Sequence, residues 1–248
     1  MARLLAIAAA AAVALVASTD AAVVNFPKGE YYRPSGAEVS GRVGATTAYT
    51  RSPCPALNSM ANHGYIPRDG KNLTRALLRT AVMDVFNIDS GLADVMIGLI
   101  PDTPTFDLAT LSTHNLIEHD VSLTRRDTYM GGDQSVADPV YLLEIVGKSL
   151  DGTLSLTDVA KIRASRLQEC KTKNPKCDYG DQQQFIANAE SGLLLRGLGG
   201  KNTETVPYIN VHSFLVNEKF PMGFTKPPTP ITFDQITNTS AALSAVPV

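Results

Sequence analysis

Three short stretches of this chain carry side chains whose types and spacing could do chemistry. The first is Ser52-Pro53-Cys54-Pro55. Two prolines stiffen the turn around Cys54 by fixing backbone angles and removing N–H donors. Pro55 also suits the first position of a helix. The unpaired N–H groups of that first turn, together with the helix dipole, favour negative charge at Cys54. A thiolate is therefore expected to form there more readily than in a free cysteine. Such a thiolate is a metal ligand or a nucleophile. Taken alone, the tetrapeptide fits a buried structural cysteine or an intermolecular disulfide more readily.

The second stretch is Glu118-His119-Asp120-Val121-Ser122. Read as helix, it sets Glu118 and Ser122 four residues apart on one face. A carboxylate and a hydroxyl oxygen together suit a hard divalent cation such as Mg²⁺. The same spacing also describes an ordinary solvated face. His119 then points elsewhere and could orient another group. The third is Glu190, whose helical neighbours Ile186, Leu193 and Leu194 share its face. A carboxylate inside an apolar stripe must be paired, protonated or functional. Burial would raise its pKa toward the range useful for proton transfer. A buried salt bridge to an arginine explains it equally well.

Elements that would position these groups follow from punctuation and periodicity. The chain has 248 residues, 44% of them hydrophobic and 19% charged, enough for a sizeable core and too apolar for global disorder. Its formal charge is −2, with no basic block, so nucleic acid is not an expected partner. Arg3, the apolar run over residues 4–17 and small residues at Thr19 and Ala21 have the layout of a signal peptide over residues 1–21. The run is shorter than the roughly 20 residues of a membrane span, and no later segment is apolar enough for one. Residues 22–248 are thus expected as one secreted, extracellular domain. Two sequons, at Asn72 and Asn238, fit that compartment. So does a disulfide between Cys170 and Cys177 across a polar turn, which leaves Cys54 as the odd cysteine.

An irregular arm is expected over residues 23–52. Helices follow over 55–63, ending at Gly64, and over 73–85, with Asn72 as N-cap and the rhythm continuing to 99. Asp107 opens another that runs toward residues 118–120. Asp138-Pro139 starts a helix over 141–150. Two more cover 155–170 and 182–196, and a last one opens at Pro207. From about residue 225, prolines, serines and threonines predict a loose tail. The expected fold is all-α, a single globular helical domain.

Taken together, these segments resemble a known family. Pro53-Cys54-Pro55-Ala56-Leu57-Asn58, followed by Ala61-Asn62-His63-Gly64-Tyr65-Ile66-Pro67-Arg68-Asp69-Gly70, resembles the proximal-loop signature of the chloroperoxidase family. That family contains fungal haem-thiolate haloperoxidases and unspecific peroxygenases. Glu118-His119-Asp120-x-Ser122-x-x-Arg125-x-Asp127 resembles its second signature, in the same order. His119 and the short chain resemble the short peroxygenase subgroup, since the long one carries Gly at that place. The resemblance covers roughly residues 30–220.

The resemblance implies a helical domain enclosing one haem b, with Cys54 as the axial thiolate on its iron. It implies Glu118 and Ser122 as side-chain ligands of Mg²⁺ or Mn²⁺, with the His119 backbone oxygen and a haem propionate completing the shell. Glu190 would be the distal acid–base carboxylate and His119 its hydrogen-bonding partner; Arg125 and Asp127 are read as structural. Hydrogen peroxide and a small organic substrate, or a halide, would be the reactants. The apolar Phe185, Ile186 and Leu193 fit the lining of an access channel, but any one of them fits plain core more readily. Two other readings remain in view: a secreted interaction protein or effector that keeps the fold without turnover, and thiol chemistry with Cys54 as nucleophile and His119 as base.

Overall fold

The computed structural model describes residues 23–247. The expected signal peptide over residues 1–21 lies outside the described residues. Helix starts follow local signals: a proline in the first turn, or a side chain that satisfies free N–H groups there. Helix α1 (Pro55–Asn62) has Pro55 at its first position and Cys54 as N-cap. Helix α2 (Arg75–Phe86) is capped by Thr74, whose hydroxyl accepts the Leu77 N–H. The expected cap, Asn72, instead turns the chain with φ 53°. Asp89 caps α3 (Ser90–Gly98). Asp138 accepts two N–H groups at the start of α4 (Pro139–Lys148), as its Asp-Pro start predicts. Ser155 and Asp158 form a capping box on α5 (Leu156–Lys173).

Helix α6 (Asp181–Leu193) runs into a π-helical turn, Leu194–Leu198. The short α7 (Tyr208–Val211) does the same over His212–Val216. These helices bury one contiguous apolar core around Met60, Leu78, Val82, Leu92, Ile162, Leu195, Phe214 and Ile236. In a chain without Trp, the rings of Phe86, Phe214, Phe220 and Phe224 supply the core's large aromatic contacts, with Phe214 and Phe224 centred 5.1 Å apart.

Three expectations need correction. The fold is mainly α rather than all-α: β1 (Val39–Ser40) pairs in parallel with β2 (Tyr49–Thr50), and β3 (Thr153–Ser155) pairs antiparallel with β4 (Thr205–Pro207). Residues 107–120 do not form a helix. A 3₁₀ turn over Leu108–Ser112 gives way to irregular chain, and Val121 at φ 66° precludes helix through the second signature. The tail is not loose. After the prolines, Thr232 caps α8 (Phe233–Ala245), which packs against α6 and α5 and buries Ile236, Thr239 and Leu243. Its mixed Thr, Asn and Ser content hides a real apolar face behind a proline-rich approach.

Candidate active site

A cavity of about 260 Å³ lies between the start of α1 and the inner face of α6. Cys54, Glu118, His119, Ser122 and Glu190, spread over the chain, all line it. Arg125 is the one further charged side chain on its wall, and aliphatic and aromatic residues make up nearly all the rest. Val95, Leu99 and Phe185 line it while remaining exposed to solvent, which marks an apolar mouth.

Cys54 stands at the N-terminus of α1, its N–H accepted by Ser52 Oγ at 3.2 Å. Burial pushes its thiol above the ordinary range, and the charge of Glu190 adds to this. The N–H groups of Leu57 and Ala56 and the Arg125 guanidinium pull the other way without prevailing. The helix donors expected to favour thiolate are therefore present, but desolvation outweighs them in the protein alone. A metal ion on Sγ would take the place of that proton.

Opposite stands the Glu190–His119 pair. His119 is buried, with Nδ1 2.6 Å from the Asp120 carbonyl oxygen and Nε2 3.3 Å from Glu190 Oε2. A carbonyl only accepts, so Nδ1 carries hydrogen. Nε2 then holds a proton only in the imidazolium form, and the pair shares a single proton between Nε2 and Oε2. Burial opposes charge on the imidazole, but the hydrogen bond and charge of Glu190 and the Asp120 carbonyl raise its pKa overall. Glu190 itself is not buried, contrary to what its apolar neighbours suggested. Ile186 and Leu194 are buried, while the carboxylate is 49% exposed. Its partner is a histidine rather than an arginine.

The second signature is irregular, yet it still gathers oxygens. Ser122 Oγ donates to the His119 carbonyl at 3.2 Å. The buried Glu118 carboxylate is engaged elsewhere, by His114 Nδ1 at 2.8 Å and Thr128 Oγ1 at 3.0 Å. Asp127 Oδ1 accepts the N–H of left-handed Val121 at 2.8 Å and so holds the turn that aims the His119 and Asp120 carbonyls. The Cys170–Cys177 disulfide is formed. Inside its loop, Asn174 donates to Asp120 Oδ2 and Asp127 Oδ2 at 2.9 and 3.1 Å, tying the loop to the segment that carries His119.

Sequence reasoning missed the polar layer beneath Cys54. Arg125 is 1% exposed and pairs with Glu218 Oε1 at 2.8 Å. Asn58 binds both Ser52 and Glu218. Asn58 and Arg125 belong to the two signatures, so their place in the site was open to discovery. Glu218 lies in the polar run Asn217-Glu218-Lys219, which reads as surface and carries no signal.

The arrangement is that of a mainly helical protein in which a cysteine and a Glu–His pair line one largely apolar cavity. The chain belongs to peroxidase family 2, whose family model matches residues 30–229. It is 31% identical over 168 residues to a dothistromin biosynthesis peroxidase from Dothistroma septosporum, covering 58% of this chain and 40% of that protein. It is 27% identical over 226 residues to a chloroperoxidase from Leptoxyphium fumago, covering 80% and 60%. An aromatic peroxygenase from Cyclocybe aegerita is 25% identical over 207 residues, covering 73% and 56%. The chain thus spans about half the length of these curated relatives.

Membership implies a haem cofactor. The residues present fit one: a thiol and apolar walls meet in a single cavity. The buried Nε of Arg125, on the same wall, has no hydrogen-bond partner and suits an acidic group such as a propionate.

Proposed function

We propose that this protein is a secreted haem-thiolate peroxygenase or peroxidase that uses hydrogen peroxide to oxygenate or oxidise small apolar organic molecules. One observation carries the reading: Cys54 and the Glu190–His119 pair line one cavity whose remaining surface is almost wholly apolar. The haem, when bound, supplies the activation of peroxide and the delivery of oxygen or an electron vacancy to the substrate.

The chain's own residues do the rest. Cys54 would hold the iron through Sγ, and the Leu57 and Ala56 N–H groups would temper the charge of that thiolate. Glu190 takes a proton from one peroxide oxygen and returns it to the departing one. His119, fixed by the Asp120 carbonyl, presents only Nε2 to Glu190 and keeps one proton in circulation between them. Val95, Leu99 and Phe185 admit substrate by apolar contact. No charged group stands among these three mouth residues, so neutral lipophilic molecules fit better than ionic ones. A halide would be oxidised at the same site.

The His119 carbonyl and Ser122 Oγ, 3.2 Å apart, are the oxygens that would hold Mg²⁺ or Mn²⁺. Glu118 would complete the set by exchanging His114 for the ion. Secretion rests on the leader-like residues 1–21. The sequon asparagines, Asn72 and Asn238, are exposed, as glycan attachment requires.

The absorption spectrum of the purified protein, reduced and exposed to carbon monoxide, tests this beside Cys54→His. A strongly red-shifted Soret band that vanishes in the variant is expected. A protein without haem, or a spectrum untouched by the substitution, would overturn the assignment and favour an interaction protein without turnover.

A further inference from the structure

Glu218 has no part in the chemistry above, yet it is 3% exposed and ends a hydrogen-bond path that reaches Cys54. Its Oε1 accepts from Asn58 Nδ2 at 2.7 Å and from Arg125 Nη2 at 2.8 Å. Its Oε2 lies 3.4 Å from Arg33 Nη2. Asn58, on the first turn of α1, donates to the Ser52 carbonyl at 2.8 Å. At Oδ1 it accepts the Ser52 N–H at 2.9 Å and the Ser52 hydroxyl at 3.1 Å. Ser52 Oγ in turn accepts the Cys54 N–H at 3.2 Å. The backbone of Glu218 sits at φ 47°, a conformation a side-chain-bearing residue adopts rarely, and its carbonyl accepts Asn62 Nδ2 at 3.0 Å.

Charge follows the same path. Arg125 and Glu218 are both buried, where solvent screens poorly and each charge is felt at its neighbours. Arg125 lines the same cavity as Cys54, and Glu218 is its ion-pair partner. An unopposed Arg125 would draw negative charge toward itself and weaken what the sulfur can donate. A carboxylate against it restores that donation.

We propose that Glu218 is a positioning residue for Cys54: it fixes the Ser52–Cys54 turn through Asn58 and, by compensating Arg125, sets how strongly the sulfur donates to a bound iron. Partners beyond the ligands tune metal sites in this way generally. The inference rests on the reading of Cys54 as the haem-iron ligand.

The test is the ferric/ferrous midpoint potential of the haem-loaded protein, with the carbon monoxide spectrum recorded alongside. Glu218→Gln keeps the shape and removes the charge. It is expected to favour the ferrous form about tenfold, a rise of roughly 59 mV for one electron. Glu218→Asp, which keeps the charge, is expected to shift the potential less. Arg33→Gln removes a cation whose side chain is 38% exposed, frees Glu218 to oppose Arg125, and is expected to lower the potential by a smaller amount. A purely structural role for Glu218 would alter unfolding and leave the potential in place.

An unchanged potential in folded Glu218→Gln, or shifts of the same sign in Glu218→Gln and Arg33→Gln, overturns the proposal. If Glu218→Gln does not fold, Arg33→Gln decides by itself, and an unchanged potential there is fatal. A wild-type protein lacking the red-shifted band removes the Cys54 assignment and this inference with it. Failure confined to the variants removes the inference alone.

Discussion

The two walls of the cavity are built on opposite principles. On the Cys54 side, α1 is regular and its polar groups are satisfied several times over: Asn58 makes four hydrogen bonds, and Asn62 ties Arg51 to the Glu218 carbonyl. On the Glu190 side, α6 slackens into a π-helical turn. The carboxylate there is half exposed, and its side-chain contact to His119 is long at 3.3 Å. The contrast matches the division of labour proposed above. A ligand must be held in one place, so its wall would be over-determined. A group that accepts and returns a proton must reorient, so its wall would keep slack.

If that division holds, substitutions on the two walls should fail in different ways. The largest effect is expected from Glu190→Gln, which should reduce peroxide-driven turnover by roughly 10²–10⁴-fold. Because the side chain is half exposed, the free energy of unfolding should move by no more than about 0.5 kcal/mol. Steady-state kinetics and urea unfolding on the same preparation measure both. Full turnover in the variant would break the comparison at its catalytic end.

Arg125→Met should do the reverse. It leaves the buried Glu218 with only the more distant, part-exposed Arg33 as a cation and should cost about 3 kcal/mol of stability, read by denaturant unfolding. A loss under 1 kcal/mol would mean that the Cys54 wall is not the rigid one.

The smallest effect concerns pH. His63 Nδ1 donates to the Gly29 carbonyl, and Nε2 accepts the Phe220 N–H, so the neutral ring straps the N-terminal arm to the chain beside Glu218. Burial lowers its pKa below the ordinary 6.5, with Lys219 and Arg68 assisting, although the Gly29 hydrogen bond opposes. A lowered folded value means that the unfolded chain takes the proton first as pH falls. The contribution of His63 is therefore complete above about pH 6.5 and is lost as pH drops through the lowered pKa. His63→Gln should flatten that part of the stability–pH curve, and an unaltered curve would remove the strap from the account.

Much of this molecule was legible in the chain before its structure. Pro55, Asp138-Pro139 and Ser155 mark real helix starts because such signals are local: proline suits a first turn, and Asp138 and Ser155 accept N–H groups two or three residues away. Helix α8 escaped notice because its buried face is short and its contacts are with α5 and α6 rather than within itself. The helix expected through Glu118 and Ser122 failed for a related reason. Their four-residue spacing is compatible with helix, but Asp127 holds the Val121 N–H in a turn that spacing does not reveal. The stripe around Glu190 told which residues share a face. It did not tell that the carboxylate turns off that face toward His119.

The sequence by itself determined which groups are chemically able: a cysteine stiffened by prolines at a helix start, a Glu-His-Asp run, and a carboxylate among apolar neighbours. These are properties of residues close in the chain. Only the tertiary structure decided that they act on one space. His119 meets Glu190 across 71 residues, Arg125 meets Glu218 across 93, and Asn58 meets Glu218 across 160. Contacts so distant form only when packing of the whole core supports the entropy of closing such loops, and that packing also decides which carboxylate is buried against a cation and which is left half exposed beside a histidine.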